Sequence, residues 1–94
     1  MQRAGRHTSF MKLQSILLKF VLLKENADTK DLIRRGIYAY YTLFKAFPEK
    51  IAPIMIKGRV LEKMINLVPF FNERRLVYLI LEIIEQTLFE VTIN

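Results

Sequence analysis

Arg34-Arg35-Gly36-Ile37-Tyr38-Ala39-Tyr40-Tyr41-Thr42-Leu43-Phe44 and Arg74-Arg75-Leu76-Val77-Tyr78-Leu79-Ile80-Leu81-Glu82-Ile83-Ile84 read as two versions of one phrase. At an offset of 40 residues an arginine pair opens each, Ile37 answers to Val77, Tyr38 to Tyr78, Leu43 to Ile83 and Phe44 to Ile84. A second correspondence lies upstream at an offset of 47: Leu17 with Met64, Leu18 with Ile65, Phe20 with Leu67 and Val21 with Val68. The difference is taken up by a longer connection at Glu25 to Thr29 than at Asn72. Apolar residues three and four apart run through all four stretches, the period of a helix rather than a strand. Two long helices per unit, repeated at about 40 residues, fall in the range of helical solenoids.

Working outward, the first helix is expected to start after Thr8 or Ser9, whose hydroxyls can accept from first-turn amides. It carries Leu13, Ile16, Leu17, Phe20, Val21 and Leu23 up to Lys24. Asp28 or Thr29 caps the second helix, which runs to about Phe47 and is apolar around nearly its whole circumference after Arg35, so it is expected to lie between neighbours. Gly36 inside it implies close helix packing, since glycine there costs about 1 kcal/mol relative to alanine. Pro48 begins a short third helix that Gly58 ends in a left-handed conformation. A fourth helix from Val60 stops before Pro69, and a fifth opens at Asn72 or Glu73. The branched residues of Val91-Thr92-Ile93-Asn94 are expected to fray.

Lys50 to Leu88 resembles one armadillo repeat. Ile54-Met55-Ile56-Lys57-Gly58-Arg59-Val60-Leu61 is similar to the short first helix, glycine turn and start of the second helix in that family. Met64-Ile65-Asn66-Leu67-Val68 resembles the second helix, and Arg75 to Leu88 the third. Met11 to Phe47 resembles the second and third helices of a preceding unit. The resemblance implies an all-α, armadillo-like right-handed helical repeat stack of about one and a half to two units over residues 9–94, behind a basic N-terminal arm at 1–8; a compact four- or five-helix bundle is the alternative. Importin-type members of the family hold an extended peptide with a Trp and an Asn on each third helix. The matching positions here are Tyr41 and Lys45, then Leu81 and Glu85, so carriage of localisation signals is not implied.

The charge is lopsided. Net charge is +6, yet Arg3, Arg6, Lys12, Lys19 and Lys24 all precede the first acid, Glu25, so the basicity belongs to one end. This suits a solvated arm or an organellar transit segment better than a diffuse nucleic-acid face. Cysteine is absent, which removes disulfides, thiolate metal sites and cysteine nucleophiles. The single histidine, His7, has no second histidine or carboxylate near it in sequence; Ser9 and Ser15 lack a nucleophile context; Glu82 and Glu85 read as a solvated face. No catalytic, cofactor or metal residues are expected. Lys19, Lys24, Glu62, Glu82 and Glu85 interrupt every apolar run, so no transmembrane helix is expected.

Binding is the expected activity, on thermodynamic grounds. A repeat unit buries its apolar face only on a neighbour, and about three units are usually needed for stacking to offset chain entropy. With fewer, the ends should expose Leu13, Ile16 and Phe20 on one side and Ile80, Ile84 and Leu88 on the other. The chain is therefore expected to be a non-catalytic structural or adaptor subunit that associates with a protein partner or with itself. The candidate contact residues are Tyr38, Tyr41, Lys45, Tyr78 and Glu85 on the inner side of the stack, with the arginine pairs Arg34-Arg35 and Arg74-Arg75. Nucleic acid is the second partner class, through those arginines and the basic N-terminal region. The expected location is intracellular, the cytoplasm, with a mitochondrion or other organelle as the alternative.

Overall fold

Ile33, Ile37, Tyr40 and Phe44 occupy one face of a helix by their spacing, and all four are buried. In the computed structural model, which describes residues 2–93 and the side chains of 9–93, they belong to the second of five helices. The order is α1 (Gln2–Leu18), a 3₁₀ turn (Lys19–Leu22), α2 (Lys30–Ala46), α3 (Pro48–Lys57), α4 (Val60–Phe71) and α5 (Arg74–Ile93). No strand occurs among the described residues, and the fold is all-helical. The longest helix, α5, lies against α2, α3 and α4; α3 also touches α2 and α4, and the 3₁₀ turn touches α4. Ile51, Met55, Val60, Met64, Leu67, Leu76, Ile80 and Ile83 complete the core with the α2 face, each at 0–1% exposure. Burying a side chain of that size contributes about 1.5–3 kcal/mol. The molecule measures 45 × 33 × 20 Å.

Gly36 and Gly58 sit where a side chain approaches closely. A Cβ on Gly36 would stand 2.6 Å from the Phe20 ring, which turns inward from the 3₁₀ turn and meets Tyr40 edge-on at 5.3 Å. A Cβ on Gly58 would collide with Leu18 and come within 2.7 Å of the Ile54 carbonyl oxygen. Gly58 itself has φ −84°, and the left-handed residue expected there is Arg59, at φ 60°. Space, not backbone freedom, is what Gly58 supplies. Asn72 takes the second left-handed position, φ 50°, and ends α4, a conformation that asparagine tolerates better than most residues.

Other boundaries also differ from expectation. Helix α1 begins at Gln2, so Thr8 and Ser9 lie within it rather than capping it. No proline interrupts Gln2 to Ser9, and once a helix is nucleated, adding residues is easy. The side chains of the basic arm, His7 among them, and the terminal Met1 and Asn94 lie outside the described residues. The α-helix ends at Leu18, not Lys24. Thr29 precedes α2, but its hydroxyl donates to the Lys24 carbonyl and bonds with Asn26, closing the connection instead of capping the helix. Helix α4 continues through Pro69 to Phe71. The donor lost at Pro69 belongs to the carbonyl of Ile65, an exposed residue that water can reach, and buried Phe71 anchors the last turn. Helix α5 runs to Ile93, with the Thr92 hydroxyl donating to the Leu88 carbonyl at 2.7 Å. Finally, α2 is enclosed on one face only, because no helix lies beyond it to cover Leu32 and Tyr38, both exposed.

Candidate partner-docking faces

The two halves of the chain meet along a seam closed by ion pairs. Arg34 donates from Nη2 and Nε to the two oxygens of Glu73, at 2.6 and 3.3 Å, a bidentate clamp from α2 to the start of α5. Its other nitrogen reaches Asp31 at 3.1 Å, and its guanidinium overlies Phe71 at 5.6 Å. The bond from Arg34 holds the Glu73 carboxyl below the usual carboxylate range, and Glu73 in turn raises the guanidinium. Lys45 on α2 lies 5.0 Å above the Tyr41 ring and 3.3 Å from Glu82 on α5; Tyr41 and then Glu82 raise its pKa. Across the other layer, Lys63 of α4 donates to the Leu23 carbonyl and to Glu25 at 2.8 Å, and its bond lowers the Glu25 carboxyl. The Tyr40 hydroxyl donates to the Leu17 carbonyl at 2.7 Å, and burial pushes that phenol up.

These contacts redistribute the roles expected of the candidate residues. Arg34 is engaged inside the molecule by Glu73, and Arg35 lies 3.1 Å from Asp31. Arg74 and Arg75 are exposed. Tyr41 and Lys45 form part of the seam, with Tyr41 half-buried beneath the ammonium. Tyr38 and Tyr78 are exposed on their helices, Tyr78 the more so. Glu85 shares a recess of about 450 Å³ with Lys45, Phe44, Gln86 and Phe89. The expected group is thus brought together only in part. Glu82, expected on a solvated face, and Glu73, expected only as a helix start, are instead counter-charges to Lys45 and Arg34, and Glu25 and Lys63 form a third such pair; opposite charges on stretches about 40 residues apart have no local signature in sequence.

The apolar end faces are the other prominent feature. Leu32 on α2 is 55% exposed, and Leu81 and Leu88 on α5 are 52% and 55% exposed, whereas their neighbours Ile33 and Ile80 are at 0%. At the first end, Ile16, Lys19, Leu32, Arg35, Gly36 and Ala39 rim a groove of about 300 Å³ floored by Phe20 and Tyr40. At the second, Val77, Leu81, Ile84 and Leu88 follow helical spacing along α5, and Ile65 is exposed on α4. Two residues expected at these surfaces are instead interior: Phe20 is buried against Gly36 and Tyr40, and Ile80 is in the centre of the α5 core face. In each case the helix is rotated so that its most central apolar residue points to the shared core.

Among the described residues, no group of three or more His, Cys, Asp or Glu side chains is arranged to hold a metal ion, and no helix is long and apolar enough to cross a membrane. The chain is an all-helical protein with two unequal apolar end faces. Compared with protein families, curated proteins and solved structures, it matches none.

Proposed function

We propose that this chain is an armadillo-like association module of about one and a half to two units, a non-catalytic subunit whose end faces receive further helical units. The order of helices supports that reading. A short α3 touches α2, α4 and α5, while α2 meets α5 and the 3₁₀ turn meets α4, so equivalent helices of the two units adjoin. A five-helix bundle centred on α5 uses the same contacts; the exposed apolar residues Leu32, Leu81 and Leu88 are what supports the stack.

One observation carries the functional reading. Buried residues of α2 and α5 correspond forty-three positions apart: Ile33 with Leu76, Ile37 with Ile80, Tyr40 with Ile83 and Phe44 with Thr87. In that register Arg34 and Lys45, which reach α5, and Tyr41 between them correspond to half-buried Val77, exposed Leu88 and half-buried Ile84 on α5. A face that receives a helix in the first unit is repeated, apolar and partly open, in the second. Capping units usually carry a polar outer face, and this one does not. Nucleic-acid binding has less to draw on, since Arg34 and Arg35 both have acidic partners.

The test is recovery of the tagged chain from its native cells, comparing wild type with Leu81→Asp. A partner that co-purifies with the wild type and is lost from the variant, at unchanged helix content and melting temperature, is the expected result. Equal recovery with both chains would overturn the proposal.

A further inference from the structure

We propose that the edge of the molecule formed by α1 and α3 docks on the acidic face of a lipid bilayer. Charge is divided unevenly between the elements. Helix α1, the 3₁₀ turn and α3 carry Arg3, Arg6, Lys12, Lys19, Lys50 and Lys57 against a single acid, Glu49. In α2, α4 and α5 seven basic residues are set against five acids, and Glu73 just before α5 is a sixth. Ion pairing follows the same division. Among the described residues every ion pair draws its cation from Arg34, Arg35, Lys45, Arg59 or Lys63. Lys12, Lys19, Lys50 and Lys57 are all exposed, and none of them belongs to one of these pairs. Elsewhere the charges nearly cancel, whereas this edge leaves its positive charge for an anionic partner.

The two helices run side by side. The Lys50 ammonium of α3 lies 5.0 Å from the Phe10 ring of α1, and Leu18 at the end of α1 packs on Gly58, the residue after α3. Between them opens a recess of about 400 Å³, lined by Phe10, Leu18, Pro53 and Ile54 and flanked by Lys50 and Lys57. Along α1 and the 3₁₀ turn, Met11, Ile16 and Leu22 alternate with Lys12 and Lys19. All three are exposed, and Leu22, at 77%, is the most exposed large apolar side chain among the described residues. That mixture selects the kind of anion. A nucleic-acid backbone attracts the lysines but gains nothing from the apolar side chains between them. A bilayer with acidic headgroups accommodates both. Apolar side chains enter the boundary between headgroups and acyl chains, while each lysine lays its aliphatic stem along that layer and keeps its ammonium among the phosphates. Since no helix among the described residues is long and apolar enough to cross a membrane, the contact is one that lies on the surface.

Co-sedimentation of the full chain with vesicles tests this. Vesicles of equal parts phosphatidylcholine and phosphatidylserine should carry the chain down, vesicles of phosphatidylcholine alone should not, and added sodium chloride should release it. Lys12→Glu/Lys19→Glu and Lys50→Glu/Lys57→Glu should each weaken binding by about tenfold or more, since one basic residue at an acidic surface changes affinity roughly fivefold. Arg74→Glu/Arg75→Glu makes the same change of charge on α5 and should alter binding by less than about twofold. Met11→Ser/Leu22→Ser should weaken binding while leaving its salt dependence unaltered. All of these positions are exposed, so circular dichroism should show the same helix content throughout. No binding to the acidic vesicles, or equal binding to both kinds, overturns the proposal. So does a loss confined to one of the two lysine pairs, or an equal loss from the α5 arginines. A chain that binds duplex DNA more tightly than acidic vesicles, with Met11→Ser/Leu22→Ser changing neither, would assign the edge to nucleic acid and overturn it as well.

Discussion

Helices α2 and α5 bury equivalent faces but edge them differently. On α2 the buried stripe of Ile33, Ile37, Tyr40 and Phe44 is flanked by Arg34 and Lys45, each answered by a glutamate at 2.6 and 3.3 Å. On α5 the stripe of Leu76, Ile80, Ile83 and Thr87 is flanked by half-buried Val77 and Ile84 and by exposed Leu88, none of them charged. A closed seam can use charged margins because both partners are supplied in one folding event, and such margins set register more than they add stability. An open margin cannot hold a fixed counter-charge, so apolar side chains leave it competent to associate at the smallest desolvation cost.

The sharpest way to break the comparison is to truncate neighbours on α5. Ile80→Ala should destabilise the fold by about 2–5 kcal/mol, the cost of a core cavity, while Leu81→Ala should change the monomer by less than about 0.5 kcal/mol. Urea denaturation followed by circular dichroism measures both, and similar effects at the two positions would erase the distinction between core and open face. Gly36→Ala comes next. On an exposed helix this change gains stability, but here the new methyl meets the Phe20 ring at 2.6 Å, so a loss of about 1–3 kcal/mol is expected. Adding Phe20→Leu should return part of that loss, and the melting temperatures of the two variants check it.

Smaller still is the effect at the seam. Glu73→Gln removes half of the bidentate clamp and should lower stability less than the glycine change, since both partners are partly solvated. A double-mutant cycle on Arg34 and Glu73 should give a larger coupling than one on Lys45 and Glu82, because only the first pair is bidentate. The least effect is the acid limb of the same contacts. Glu25 and Glu73 titrate below their ordinary value of 4.5 in the folded chain, so they bind fewer protons there than when unfolded. Their contribution is complete above pH 4.5 and is lost as pH falls below it through the lowered folded values. Urea midpoints between pH 5 and 3 should decline less steeply in a Glu25→Gln/Glu73→Gln chain.

Much of this architecture was legible in residue order. The offset of 47 pairs Leu17 with Met64 and Phe20 with Leu67, and all four are buried. The offset of 40 is less faithful: it pairs buried Ile37 with half-buried Val77 and buried Phe44 with half-buried Ile84, whereas the core faces align at forty-three. Apart from Glu82, positions 76 to 84 are all aliphatic or aromatic, so likeness of side chains alone slides by most of a helical turn with little penalty. Arg34 suggested an outward grip because Glu73, which engages it, is distant in sequence, and a guanidinium so engaged looks no different in sequence from a free one.

By itself the sequence determined that the chain is all-helical, because the three- and four-residue spacing of apolar side chains is a local property that any stretch carries with it. Only the tertiary structure decided which apolar residues became core and which stayed at the surface, and which charges were spent inside. Leu81 and Ile80 are adjacent and chemically alike, yet one is half-exposed and the other fully buried. That difference is set by the rotation of α5 against α2, α3 and α4, a sum over many weak packing contacts between residues far apart along the chain.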